Sequence, residues 1–210
     1  MKSDLDSNDL LVEKNLWSIY WAARKIPSTK FNVITTWLFF LLTVFQVIVF
    51  PQSIESQVEY VRKYSEFGFN AALTTMGFLV AGFTIFATLS DPELFIAMGK
   101  SRHRVSNLSW LKHNFFLFIR VFVYFAVFIV FCLLIMVFGS KSGLVSSLLS
   151  MFDEAVNLRI LVAGTAYVVL MTGFYFILMQ LKSFIFNMHH AVMTSLKWKW
   201  DRKDKPDPQS

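Results

Sequence analysis

The residues of this chain with scope for chemistry are few. Four histidines, His103, His113, His189 and His190, could bind a metal or titrate near neutral pH. His189 and His190 are adjacent, so on a helix they point about 100° apart and share no face. The one cysteine, Cys132, lies in an apolar run far along the chain from them, and no spaced carboxylate completes a tetrahedral ligand set. Nucleophilic hydrolysis needs a His and an acid held beside a Ser or Cys. None of the four long apolar runs contains a His, Asp or Glu. That also weighs against an ion-coupled transporter, which places ionisable groups near the bilayer midplane. The run GFLVAG at residues 77–82 lacks both the Lys-Ser/Thr of a phosphate-binding loop and a strand before it. The expectation is a non-enzyme with no catalytic residue, no metal and no cofactor.

The elements that would position these groups are membrane spans. Of 210 residues, 55% are hydrophobic and 24 are Phe. A soluble domain must keep a polar surface and rarely reaches such values. Four segments are each long enough to cross the ~30 Å hydrocarbon layer at ~1.5 Å per helical residue. They are residues 31–50, 68–90, 115–138 and 158–181. No cleavable signal peptide is expected, so the first span would act as its own insertion signal. The fold class is an all-α integral membrane protein with four transmembrane helices. It divides into an N-terminal segment 1–30, a four-span domain 31–187 and a C-terminal tail 188–210.

Between the spans the pattern is equally local. Residues 10–26 carry Trp17 and Trp21 beside Lys14, Arg24 and Lys25. Amphipathic aromatics favour the headgroup layer, so this reads as an interfacial helix. Packing on the protein's own cytoplasmic side is the open alternative. Trp198 and Trp200 are matching anchors after the last span. In residues 52–66, Glu59 can pair with Arg62 and Lys63 at i+3 and i+4, which predicts a solvated helix leading into span two. Ser90 with Glu93 three residues on, and Pro92 between, predicts a capping box. Leu94, Phe95 and Met98 then form an apolar face, and Gly99 ends the helix. Residues 139–157 form a loop with a short interfacial helix, and the helix of span four continues past Lys182 towards Trp200. Residues 1–9 and the last ten residues are expected to be disordered.

Span two differs from the others. Asn70, Thr74, Gly77, Ala81, Thr84 and Thr88 recur at steps of four and three, which aligns them as one stripe of small, weakly polar side chains. Such a stripe suits close helix packing or the lining of a wet path better than lipid. Ala166, Gly173 and Gln180, every seventh residue in span four, are candidates to meet it. Gln46 in span one is expected to hydrogen-bond a neighbouring helix. Arg120, the only charge in span three, is expected to snorkel to the headgroups, with a buried ion partner as the alternative.

Charge placement orients the chain. The N-terminal segment, the loop between spans two and three, and the C-terminal segment hold five, four and six Lys plus Arg, fifteen in all, against two in each opposite connection. The positive-inside rule then places both termini in the cytoplasm. That face, with Lys100, Arg102, Arg104 and Arg120, is a candidate surface for anionic lipid or a partner. No direct nucleic-acid binding is expected, because no recognition motif accompanies the charge.

A tetraspan chain of this size, termini inside, with GFLVAGFTIFATLSDPELF at residues 77–95, resembles the KwaA family, membrane subunits of the Kiwa anti-phage defence system. The resemblance covers the layout of most of the chain and the text of span two only, so no site residue is carried over. It implies a homotetramer in the bacterial inner membrane that senses phage attachment or membrane perturbation. It also implies a cytosolic, DNA-binding, KwaB-like effector as partner. An oligomeric pore that depolarises the membrane is the alternative reading.

Overall fold

In hydrocarbon there is no water to satisfy backbone N–H and C=O groups, so a long apolar run closes its own hydrogen bonds as a helix. The computed structural model describes residues 11–89, 91–104, 106–140, 143–151 and 155–203. Among them are seven helices: α1 Leu16–Arg24, α2 Lys30–Val49, α3 Ile54–Leu89, α4 Pro92–Lys100, α5 Trp110–Phe138, α6 Leu144–Leu149 and α7 Ala155–Lys203. No strand occurs among the described residues beyond an isolated bridge between Arg102 and Ser109. Four of the helices, α2, α3, α5 and α7, are long and apolar enough to cross a membrane. The chain is an all-α, multi-pass integral membrane protein.

Two of these helices overshoot the bilayer. The charged segment before span two and the span itself form one helix, α3, of 36 residues. At ~1.5 Å per residue it is about 54 Å long, against ~30 Å of hydrocarbon. α7 runs for 49 residues and carries the last span onward through Asp201. The expected cap at Ser90 lies outside the described residues. Asp91 occupies the N-cap of α4 instead, its Oδ1 accepting from Glu93 N at 2.9 Å, with Pro92 in the first turn. A carboxylate there also complements the positive end of the helix dipole.

Two compact units make up the chain, neither of them continuous in sequence. One comprises Ser28–Gly77 and Tyr124–Gln180. Its core holds Phe125, Phe128, Leu170 and Ile177, but along α2 the buried positions are polar and the large apolar residues point outward. On α2, Asn32 and Thr43 are buried while Ile34, Trp37, Leu41, Phe45 and Ile48 are exposed. Asn32 Nδ2 donates to Met179 O at 3.1 Å, and the Thr43 and Thr172 hydroxyls meet at 3.4 Å. Phe39 stacks on Tyr175 with ring centroids 4.5 Å apart. Lipid is as apolar as Leu, so helices gain little by hiding Leu and more by hiding what lipid cannot hydrogen-bond. Gln46 departs from this pattern and from the expectation for it: its side chain is exposed, so it makes no buried interhelical bond within the unit.

The other unit comprises Met1–Pro27, Phe78–Val123 and Leu181–Ser210. Phenylalanine rings fill it. Phe83 sits edge-on to Phe115, Phe118 and Phe122, and Phe86 contacts Phe95, Phe115 and Phe118. Phe184 of α7 closes on Phe118 at 5.3 Å. Edge-to-face pairs of this kind add about 0.5–1.5 kcal/mol each beyond burial.

Candidate functional site

The stripe on α3 is the first candidate. Asn70, Thr74, Gly77, Ala81, Thr84 and Thr88 are all exposed. A Cβ added to Gly77 would meet nothing within 4 Å. The buried face of α3 is a different one, formed by Val61, Ser65, Gly68, Ala72, Leu79 and Phe86. A Cβ on Gly68 would meet the Phe128 ring at 3.2 Å and Cys132 Sγ at 3.4 Å. The expected meeting of the stripe with span four is therefore not seen among the described residues. Gly173 instead approaches Phe128, at 3.1 Å from its would-be Cβ, and Gln180 is buried.

Hydrogen bonding separates the stripe into two kinds of residue. Thr84 Oγ1 donates to Val80 O at 2.9 Å, and Thr88 Oγ1 to Thr84 O at 3.0 Å. Those hydroxyls are satisfied by their own helix and need no water. The Asn70 amide has no partner among the described residues, so it carries an open demand for one.

The basic and aromatic candidates divide in the same way. Arg120 is buried, and its Nη1 donates to Ile26 O at 2.7 Å and Ala23 O at 3.2 Å. The expected snorkelling is corrected: the guanidinium meets one carbonyl in the last turn of α1 and one just past its end, at the negative end of the helix dipole. Around it Ala23, Ile26 and Phe116 form a small core with Ile19, Ala22, Leu108 and Leu117. An ion pair from Lys112 Nζ to Glu13 Oε2, 2.5 Å, ties the start of α5 to the residues before α1. Helix α1 thus docks on α5 by one face. Its other face presents Trp17 and Trp21, 63% and 49% exposed, clustered with Tyr20, and Arg24 lies over the Trp21 ring at 5.3 Å. Asn15 starts α1 by accepting from Ser18 N at 2.7 Å. Trp200 is exposed and Trp198 only half so. Lys100, Arg102 and Arg104 are exposed.

One constellation was not legible in the sequence. His103 and His113 stack with ring centroids 3.8 Å apart, against Trp110. The Ser106 hydroxyl lies 3.2 Å from His103 Nδ1 and 2.9 Å from His113 Nδ1. Ser106 N also donates to His103 Nδ1, at 3.3 Å, which makes that nitrogen an acceptor. The pattern consistent with all three contacts has His113 Nδ1–H donating to Ser106 Oγ and Ser106 O–H donating to His103 Nδ1. A tight turn builds it: His103 N donates to Leu108 O, Asn107 N donates to His103 O, and Asn107 takes φ 58°, which Asn tolerates. The two histidines are ten residues apart, a spacing no helical period aligns, so only the turn brings them together. His189 and His190 are both exposed and take no part. Among the described residues no three His, Cys, Asp or Glu are placed to hold a metal ion.

The surfaces among the described residues are thus an uncovered small-residue stripe, a docked aromatic helix and exposed arginines beside a stacked histidine pair. No known protein family, curated protein or solved structure matches the chain.

Proposed function

We propose that this protein is a non-enzymatic membrane-embedded sensor and anchor that assembles with copies of itself and recruits a cytosolic partner. The observation that carries the reading is the exposure of the whole α3 stripe, with open space over Gly77. Small residues contribute little contact with lipid but let a second helix approach closely. With both termini in the cytoplasm, as the charge count argues, Lys100, Arg102, Arg104, Trp17 and Trp21 face the cytosol and its anionic leaflet. The resemblance to KwaA membrane subunits makes the assembly a homotetramer in the bacterial inner membrane. It makes the partner a KwaB-like DNA-binding effector of anti-phage defence. Purification from the native operon tests this: the chain should run as an oligomer and carry a soluble nucleic-acid-binding protein with it. A monomer with no co-purifying partner would reject the reading.

An ion-conducting oligomer is the second reading, favoured by the unpartnered Asn70 amide on the same stripe. Against it, the Thr84 and Thr88 hydroxyls are already bonded to their own helix. Planar-bilayer recordings separate the two. Single-channel currents abolished by Thr84→Leu would establish conduction, and silent bilayers containing intact oligomer would favour the anchor.

A further inference from the structure

Within the unit formed by Ser28–Gly77 and Tyr124–Gln180 lies a cavity of about 520 Å³. That is within the ~300–1,000 Å³ range of small-molecule sites. Its walls are apolar, with Val61 of α3, Ile135 of α5, Leu149 of α6 and Val162 and Ala166 of α7 among them. It lies where α5 ends and α7 begins, which is headgroup depth for spanning helices. Two charged residues line it, Arg159 and Glu55. Arg159 Nε is buried and has no hydrogen-bond partner among the described residues. Among the described residues its Nη2 reaches Ser146 O, at a long 3.5 Å. A buried guanidinium nitrogen left unbonded is costly, and a phosphate oxygen is the acceptor that suits it best.

We propose that this cavity is a binding site for one zwitterionic glycerophospholipid of the phosphoethanolamine type. An acyl chain fills the apolar volume, and a phosphate oxygen accepts from Arg159 Nε. Glu55 selects the headgroup: it repels a purely anionic lipid and attracts an ammonium. A free fatty acid offers the chain but only a carboxylate to Arg159. Inorganic phosphate offers the anion but nothing for the walls.

Native mass spectrometry of the full-length protein, reconstituted with palmitoyl-oleoyl phosphatidylethanolamine, phosphatidylglycerol, palmitate or inorganic phosphate in turn, tests this. The expected result is one phosphatidylethanolamine retained per subunit, with the other three probes retained at least several-fold less. Arg159→Gln should lower retention about tenfold. Ala166→Leu should lower it as much by filling the cavity, with the thermal midpoint unchanged to show that the subunit is folded. Glu55→Gln should let phosphatidylglycerol bind as well as phosphatidylethanolamine. Undiminished retention in folded Arg159→Gln or Ala166→Leu protein would overturn the site. Equal retention of palmitate or of inorganic phosphate would overturn the phospholipid assignment. Equal retention of phosphatidylglycerol by the unaltered protein would overturn the headgroup.

Discussion

Two glycines on one helix have opposite surroundings. Gly68 lies under the Phe128 ring, with no room for a methyl group at ordinary contact distance, whereas Gly77, nine residues on, faces nothing within 4 Å. Ser65, Gly68 and Ala72 make a small-residue face that is buried in the chain, and Asn70, Thr74 and Gly77 make another that is not. Both faces meet the same compositional rule for close helix packing. The difference teaches that small residues mark where something approaches, without saying whether the visitor belongs to the same chain.

Substitutions on the two faces should part accordingly. The largest effect is expected at Gly68→Leu, which forces a side chain into Phe128 and Cys132. Overpacking of this kind costs about 1–3 kcal/mol, so the thermal midpoint in detergent should fall and much of the protein aggregate. Gly77→Leu should leave that midpoint unchanged or slightly raised, since leucine favours helix over glycine by roughly 0.5–1 kcal/mol. Its effect should appear in assembly: mass photometry should show smaller particles. An unchanged particle mass would mean that the stripe is no interface, and the comparison would reduce to covered against lipid-facing.

Asn70→Leu should weaken assembly less, by about 0.6–2 kcal/mol, if the amide bonds across copies. Particle dissociation on dilution measures it, and an increase in stability of the assembly would place Asn70 against lipid instead. Thr84→Val should change neither readout by more than about 0.5 kcal/mol. The Thr84 hydroxyl is bonded to Val80 O, which keeps its own ladder bond in the variant. A marked loss there would show that the hydroxyl turns outward to a partner.

Off this helix, Arg120 shows the same ambiguity of a local signal. One charge near the end of an apolar run reads as a snorkelling side chain, and its distance from residues 23–26 in sequence conceals the alternative. The folded chain places it on the carbonyls ending α1. The amphipathic character of α1 was legible from Trp17 and Trp21 beside its basic residues, but its destination was not, because headgroup layer and protein surface reward the same pattern. The histidine pair was illegible for another reason: it depends on one left-handed residue, Asn107, in a turn no periodicity predicts. Helix limits, by contrast, fell within a few residues of expectation at Pro51 and Gly139, whereas the helix expected over residues 10–26 is α-helical only from Leu16 to Arg24, where Asn15 caps it.

What the sequence determined by itself is the set of helices and their relation to a bilayer. Apolar length and the cost of unbonded backbone in hydrocarbon leave no other outcome for residues 31–50, 68–90, 115–138 and 158–181. What only the tertiary structure decided is which face of each helix is covered. Protein interior and lipid are nearly equal in apolarity, so hydrophobicity does not choose between them. That choice rests on shape and on a few polar partners, such as Asn32 with Met179 and Arg120 with Ile26, which are remote in sequence and meet only once the chain has packed.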